Sequence, residues 1–227
     1  MITIILAGGR GARMAPLTDT LPKPMLKVLD KNLLEWKLKA LPDSVTKIVF
    51  VVGYLGDKIR EHFENFWNGI PVEYIEQHVL DGTGGAIALC EQYIEDRALV
   101  LMGDDIYHKD DLEALAKHPF SILVMDKGEE AKSIKAGKVV EKNGLFIGLN
   151  EGLAQTGIET TLINTGAYTI SKEYFNYEKK KVSDTEFGLP QTLVEVSLDH
   201  PIKVLKTKNW IQITTPQCLK KAESLVG

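Results

Sequence analysis

A chain of 227 residues with 44% hydrophobic and 26% charged residues suits a soluble α/β domain with a substantial core. Its net charge of −4 excludes a bulk electrostatic attraction to nucleic acid or to an anionic membrane, and leaves room for a small phosphate ligand held by local cations. The apolar run behind Met1 is only a strand long and lacks a basic flank, and no run approaches the length of a membrane span. Neither a leader nor a span is therefore expected, and the expected location is the cytoplasm.

In chain order, "ITIILA" predicts a buried strand, and "NLLEWKLKAL" a helix with apolar residues three and four apart. "KIVFVVG" predicts the next buried strand, and "GDKIREHFENFW" a helix with Ile59, Phe63 and Phe66 on one face. "PVEYIEQ" predicts a shorter strand, "TGGAIALCEQYI" a helix, and "RALVLMGDD" a third continuous apolar strand, with a helix starting near Lys109. This alternation predicts an α/β fold, a Rossmann-like three-layer α/β/α sandwich whose sheet is mixed but mostly parallel. Ligands of such sheets bind at the carboxyl ends of the strands, where the loop after the first strand and the Asp104–Asp105 pair should meet.

The second half changes style. "GKVVEKNGLFIGLNE" predicts a hairpin turning at Asn143-Gly144, "TLINTGAYTIS" a strand, and "FGLPQTLVEV" a short helix. "PIKVLKTKNWIQI" predicts a strand pair leading into a C-terminal helix, and the charged run from Glu178 to Glu186 a solvated loop. No linker or repeat interrupts the chain. One domain over residues 1–227 is expected, with a nucleotide-side lobe over 1–126 and a sugar-side lobe over 127–227. Cys90 and Cys218 stand outside any C-x-x-C and read as small buried residues in a reducing compartment.

The loop "ILAGGRGARMAPLTDTLPKPM" carries the chemistry. A dinucleotide fingerprint fails because Met14 stands where its third glycine belongs, and a P-loop fails for want of Gly-Lys-Ser/Thr. What remains is an anion nest of glycine amides, with Arg10 and Arg13 as cations and Lys23 clamped between Pro22 and Pro24. A ligand-free glycine turn would not explain two arginines and a proline-flanked lysine.

"LAGGRGARMAPLTDTLPKPM" resembles the signature L-A-G-G-x-G-x-R-[ML]-x-P-L-T-x-x-x-P-K-P of the sugar-1-phosphate nucleotidylyltransferases, the glucose-1-phosphate uridylyl- and thymidylyltransferases among them. The resemblance implies nucleotide binding by Leu6, Ala7, Gly8, Gly9 and Gly11, and catalytic roles for Arg13 and Lys23. It continues in "EQHVLDGTGGAI", which implies that Gln77, Gly82 and Thr83 lie at the base. "LMGDD" resembles the strand-end Gly-Asp whose carboxylate holds Mg²⁺, here Asp104, as suits a hard cation that takes oxygen ligands. Asp105 is expected to face the other way and to cap the helix that follows, or to help hold the metal. "KAGKVV", "LNEG" and "INTGAY" resemble the sugar segments and imply sugar contacts by Gly137, Glu151 and Asn164.

Two positions depart from the family pattern. Gly152 stands where a lysine usually follows the glutamate, and Gln212 in "NWIQITTP" stands where an aspartate commonly gives a second metal ligand. The implied reaction joins a nucleoside triphosphate and a sugar 1-phosphate, with Mg²⁺ as cofactor, into a nucleotide sugar and pyrophosphate. UTP or dTTP with glucose 1-phosphate is favoured. The alternatives are a GTP-dependent heptose or mannose 1-phosphate enzyme, a phosphocholine cytidylyltransferase, or a non-catalytic nucleotide-sugar sensor. The partners are these small molecules, with no nucleic acid, no membrane and a homo-oligomer as an option. The five histidines need no part in the chemistry.

Overall fold

The computed structural model describes residues 1–226. The first strand, β1 (Ile2–Leu6), runs into the glycine loop, after which come the short β2 (Lys27–Val28) and β3 (Lys31–Asn32). Helix α1 (Leu33–Lys39) starts at Asn32, whose side chain accepts from the Glu35 amide while Glu35 accepts from the Asn32 amide, a capping box. Then follow β4 (Lys47–Val52), α2 (Gly56–Phe63), β5 (Phe66–Trp67), β6 (Ile70–Glu76), α3 (Gly82–Ala88), β7 (Arg97–Met102), α4 (Lys109–Leu115) and β8 (Ser121–Asp126). The second half comprises β9 (Lys138–Lys142), β10 (Leu145–Asn150), β11 (Leu162–Ser171), β12 (Lys180–Lys181), β13 (Phe187–Gly188), α5 (Leu189–Asp199), β14 (Lys203–Thr207) and α6 (Pro216–Val226).

Ten strands form one sheet in the order β5-β6-β4-β1-β7-β11-β8-β14-β10-β9. β1 lies between β4 and β7 and pairs with both in parallel, Leu6 opposite Val51 and Met102. β11 is antiparallel to β7 and to β8, and β14 runs parallel to β8. Successive residues of the central strands serve opposite faces, as the two-residue strand period demands. Ile5, Phe50 and Leu101 pack with Leu38, Ile59 and Leu112 of α1, α2 and α4. Ile4, Val51 and Val100 pack with Ile87 of α3 and Leu193 of α5. The three layers and the mixed sheet are those expected from the strand and helix alternation, but the sheet is not mostly parallel. Parallel pairing is confined to β6-β4-β1-β7 and β8-β14, and β5, β11, β10 and β9 are antiparallel to their neighbours.

Several local expectations are corrected. Phe66 leaves the helical face shared by Ile59 and Phe63, because α2 stops at Phe63 and Phe66 begins a short edge strand and is 65% exposed. Strand β8, anticipated by none of the patterns above, is an inner strand beside β11. The expected strand pair near the C-terminus is one strand, β14, followed by a single bridge between Ile211 and Ile106. The helix expected through Ile94 ends at Ala88, and a separate turn covers Glu91–Tyr93. Asn143 and Gly144 both take positive φ, as a tight hairpin turn requires.

Candidate active site

The glycine loop leaves β1 at Ala7, whose amide still bonds to the Val51 carbonyl, and Gly103 at the end of β7 donates to the Leu6 carbonyl. These contacts bring the β1 loop and the Asp104 turn to the same edge of the sheet. From Gly8 to Gly11 no backbone N–H has an acceptor among the described residues, which leaves four successive amides open. Gly11 sits at φ +63, and a Cβ there would lie 2.8 Å from the Lys23 Cβ. Its glycine is needed twice over: for the left-handed turn, and to let the lysine stem pack against the loop.

Lys23 opens a helical turn between its two prolines and is only 6% exposed. Its ammonium donates to Asp104 Oδ2 at 2.5 Å. Arg13 is exposed on the turn Ala12–Met14, which Met14 anchors in the core, and has no carboxylate in ion-pairing range among the described residues, while Arg10 lies 5.1 Å over the Tyr54 ring. Gln77 donates from its amide nitrogen to Asp81 Oδ1 and to the Gly82 carbonyl. These two bonds fix which way the amide faces and leave its oxygen over Gly8, 3.2 Å from where a Cβ would stand. The Thr83 hydroxyl accepts from the Leu189 amide at 2.9 Å, tying this loop to the start of α5.

Farther along, Gly137 lies so close to Glu151 that a Cβ would come 2.7 Å from Oε2. The Gly137 carbonyl accepts from the Asn164 amide, and the Asn164 side chain donates to the Tyr168 hydroxyl at 2.7 Å. Burial pushes the Glu151 carboxyl above its usual range, and a hydrogen bond from Gln191 works against that shift.

All these positions open onto one cavity of about 770 Å³, lined by every residue to which the sequence assigned a nucleotide, sugar, catalytic or metal role, from Leu6 and Ala7 to Gln212. None of the five histidines lines it; His108, for one, caps α4. The cavity also takes residues that sequence reasoning passed over. Val182 and Glu186 belong to the charged run expected to be a solvated loop, but β12 and β13 fold that run back so that the Phe187 amide donates to the Asp81 carbonyl. Lys135 and Gln191 line it too. Gln191 lies in the helix expected over "FGLPQTLVEV", just after Pro190 at its start, but nothing in that pattern marks it for the cavity.

Asp105 does not cap α4, which His108 does; both of its carboxylate oxygens are engaged within the protein. Its carboxylate is buried and accepts from Trp210 Nε1 and from the Ile213 amide, both at 3.0 Å. Lys37, wholly buried, donates to the Asp105 backbone carbonyl and lies 4.8 Å over the Tyr107 ring. Burial pushes the Asp105 carboxyl up and the Lys37 ammonium down. The two bonds to Asp105 flank Gln212 and present it to the cavity that holds Asp104.

Among the described residues no three His, Cys, Asp or Glu side chains form a metal cage. Mg²⁺ seldom uses one; it is held by one or two protein oxygens together with substrate phosphates. The Asp104 carboxylate, with its side chain 38% exposed, and the neutral amide oxygen of Gln212 fit that pattern.

The family model for nucleotidyl transferases matches residues 2–122, which hold both the glycine loop and the Asp104 strand end. The chain belongs to the nucleotidyl transferase family. The bifunctional protein GlmU of Methanocaldococcus jannaschii is 31% identical over 220 residues, 95% of this chain and 52% of that protein. The chain thus spans about half the length of such bifunctional relatives. The D-glycero-α-D-manno-heptose 1-phosphate guanylyltransferase of Campylobacter jejuni is 32% identical over 178 residues, 78% of each chain. A candidate glucose-1-phosphate thymidylyltransferase from Bacillus anthracis, solved with sucrose, superposes with a TM-score of 0.83 at 22% identity. It covers 99% of this chain and 94% of its own, and so shares the fold of this nucleotidyl transferase.

Proposed function

We propose that the protein is a sugar-1-phosphate nucleotidylyltransferase, joining a nucleoside triphosphate to a sugar 1-phosphate with release of pyrophosphate. The observation that carries this reading is the Lys23–Asp104 pair in a cavity that also holds the open amides of Gly8–Gly11 and the polar set of Glu151 and Asn164. A sugar phosphate is already an anionic nucleophile at neutral pH, so no general base is required. What the reaction needs is positioning and charge neutralisation for in-line attack at the α-phosphorus. The glycine amides and Arg13 would cradle the triphosphate and the departing pyrophosphate. Lys23, held rigid by its prolines, would keep two mutually repelling phosphates in contact. Gln77, Gly82 and Thr83 would hold the base, and Gly137, Glu151 and Asn164 the sugar. Asp104 and Gln212 would hold Mg²⁺, which when bound neutralises phosphate oxygens.

We infer UTP or dTTP as the nucleotide and glucose 1-phosphate as the sugar. The acceptor oxygen of Gln77 beside the open Gly8 amide suits the paired N–H and carbonyl of a uracil or thymine edge. A second reading, GTP with a heptose 1-phosphate, is favoured by the Campylobacter jejuni relative, and guanine offers the same pair of groups. We further propose that residues 1–227 act as one domain, with the nucleotide bound by 1–126 and the sugar by 127–227. The free thiols of Cys90 and Cys218 fit a cytoplasmic location. Pyrophosphate release measured for five nucleoside triphosphates against a panel of sugar 1-phosphates tests the assignment. Turnover of one sugar-phosphate pair supports it; binding of both substrates without pyrophosphate release would make the protein a sensor instead.

A further inference from the structure

We infer that Gln191 is a positioning residue for the sugar side of the cavity: its amide holds the Glu151 carboxylate against Gly137 as a hydrogen-bond acceptor for a sugar hydroxyl. This rests on the nucleotidylyl-transfer reading above and extends it to a residue on another element. Gln191 Nε2 donates to Glu151 Oε2 at 3.0 Å, and the side chain, 3% exposed, lines the same cavity. Its amide oxygen is buried and has no hydrogen-bond partner among the described residues, where nearly every other buried polar side-chain atom has one. Turning the amide over would point that oxygen at a carboxylate and forfeit the bond, so Glu151 dictates the orientation and the orphaned oxygen is its consequence.

The first turn of α5 is itself fixed. The Leu189 amide donates to Thr83 on the nucleotide side, and the Thr192 hydroxyl bonds to the Gly188 carbonyl while accepting from the Lys180 amide. Gln191 therefore reaches Glu151 from an anchored base. A carboxyl as buried as Glu151 takes up a proton more readily than usual and would then donate where the sugar needs an acceptor. The Gln191 N–H favours the acceptor form. Tyr168 on β11 acts electrostatically with Glu151, and Lys135 ahead of β9 and Glu186 ahead of β13 are further titratable groups that line the cavity.

The variant Gln191→Met keeps the length of the side chain and removes the donor. In full-length protein, with folding checked by thermal melting, the ¹³C-carboxyl titration of Glu151 should move to higher pH; its signal is assigned by its loss in Glu151→Gln. The KM for the sugar 1-phosphate should rise about tenfold, with the KM for the nucleotide changed less than about twofold. In a Glu151→Gln background the same change should add less than about twofold, because the two residues act as one unit. An unmoved Glu151 titration in a folded Gln191→Met protein, or an equal KM effect in both backgrounds, would overturn the inference. The titration needs no turnover, so a wild-type protein that released no pyrophosphate would defeat the proposed function and leave the Gln191–Glu151 contact to be decided by the titration alone.

Discussion

Lys23 and Asp104, 81 residues apart in sequence, meet at 2.5 Å where the β1 loop and the end of β7 converge. The lysine is buried and the carboxylate half exposed, so the pair faces the cavity from the aspartate side. Under the proposed function both are catalytic. Lys23→Ala and Asp104→Ala should each lower kcat by about 10²-fold or more in protein that remains folded, with Asp104→Ala melting lower because it leaves the buried ammonium without its partner. Pyrophosphate release and a thermal melt check both halves of this expectation. Near-normal turnover by a folded Lys23→Ala protein would remove the assignment.

Gln212 offers a neutral oxygen where a second carboxylate would bind a cation more strongly. The Trp210 side chain and the Ile213 amide, both bonded to Asp105, hold the flanking residues, so Gln212→Glu, which keeps the side-chain length, should place its carboxylate at the same spot. The Mg²⁺ concentration giving half-maximal activity should fall several-fold in that variant and rise in Gln212→Ala. Equal metal dependence in all three proteins would take Gln212 out of the metal site.

Gly152 explains why no lysine follows Glu151. Its φ is +57, and a Cβ would stand 2.1 Å from the Val182 carbonyl oxygen, which belongs to the folded-back charged run. Gly152→Ala should cost about 2 kcal/mol of stability through backbone strain and the clash. Gly152→Lys should cost as much and bring no improvement in KM for the sugar 1-phosphate. Chemical denaturation measures the first, substrate titration the second.

The two thiols should react differently. Cys90 is fully buried, and burial pushes its thiol up to about 12. Cys218, only partly buried and so unlike the buried residue expected, lies near the start of α6 against the hydroxyls of Thr214 and Thr215. Partial burial raises this thiol, but the hydroxyl and backbone hydrogen bonds of Thr215 and Thr214 outweigh it and bring it down to about 7. Iodoacetamide labelling followed by mass spectrometry should find Cys218 modified, with a pH midpoint about 7, and Cys90 unmodified in the folded protein. Equal labelling of both would contradict the local geometry.

Much of the site was legible from residue order. The nest after β1, the proline-clamped Lys23 and the Asp104 strand end are local signals, written in glycines, prolines and a carboxylate behind an apolar run. Gln191 and Lys135 carry no such mark: glutamine in a helix and lysine in a loop are ordinary, and only the packing of α5 and of the segment before β9 turns them toward the cavity. Asp105 shows the same limit from the other side. Its neighbour in sequence faces the cavity while its own oxygens bind Trp210 and Ile213, more than a hundred residues on.

By itself the sequence determined the alternation of strands and helices, the glycine-rich loop after β1 and the family, because these rest on hydrophobic period and short-range backbone chemistry. The tertiary structure decided which polar groups are already satisfied within the protein and which remain open to a ligand. Hydrogen-bond partners far apart in the chain become visible only once the sheet order places β1, β7, β11 and the start of α5 around one cavity.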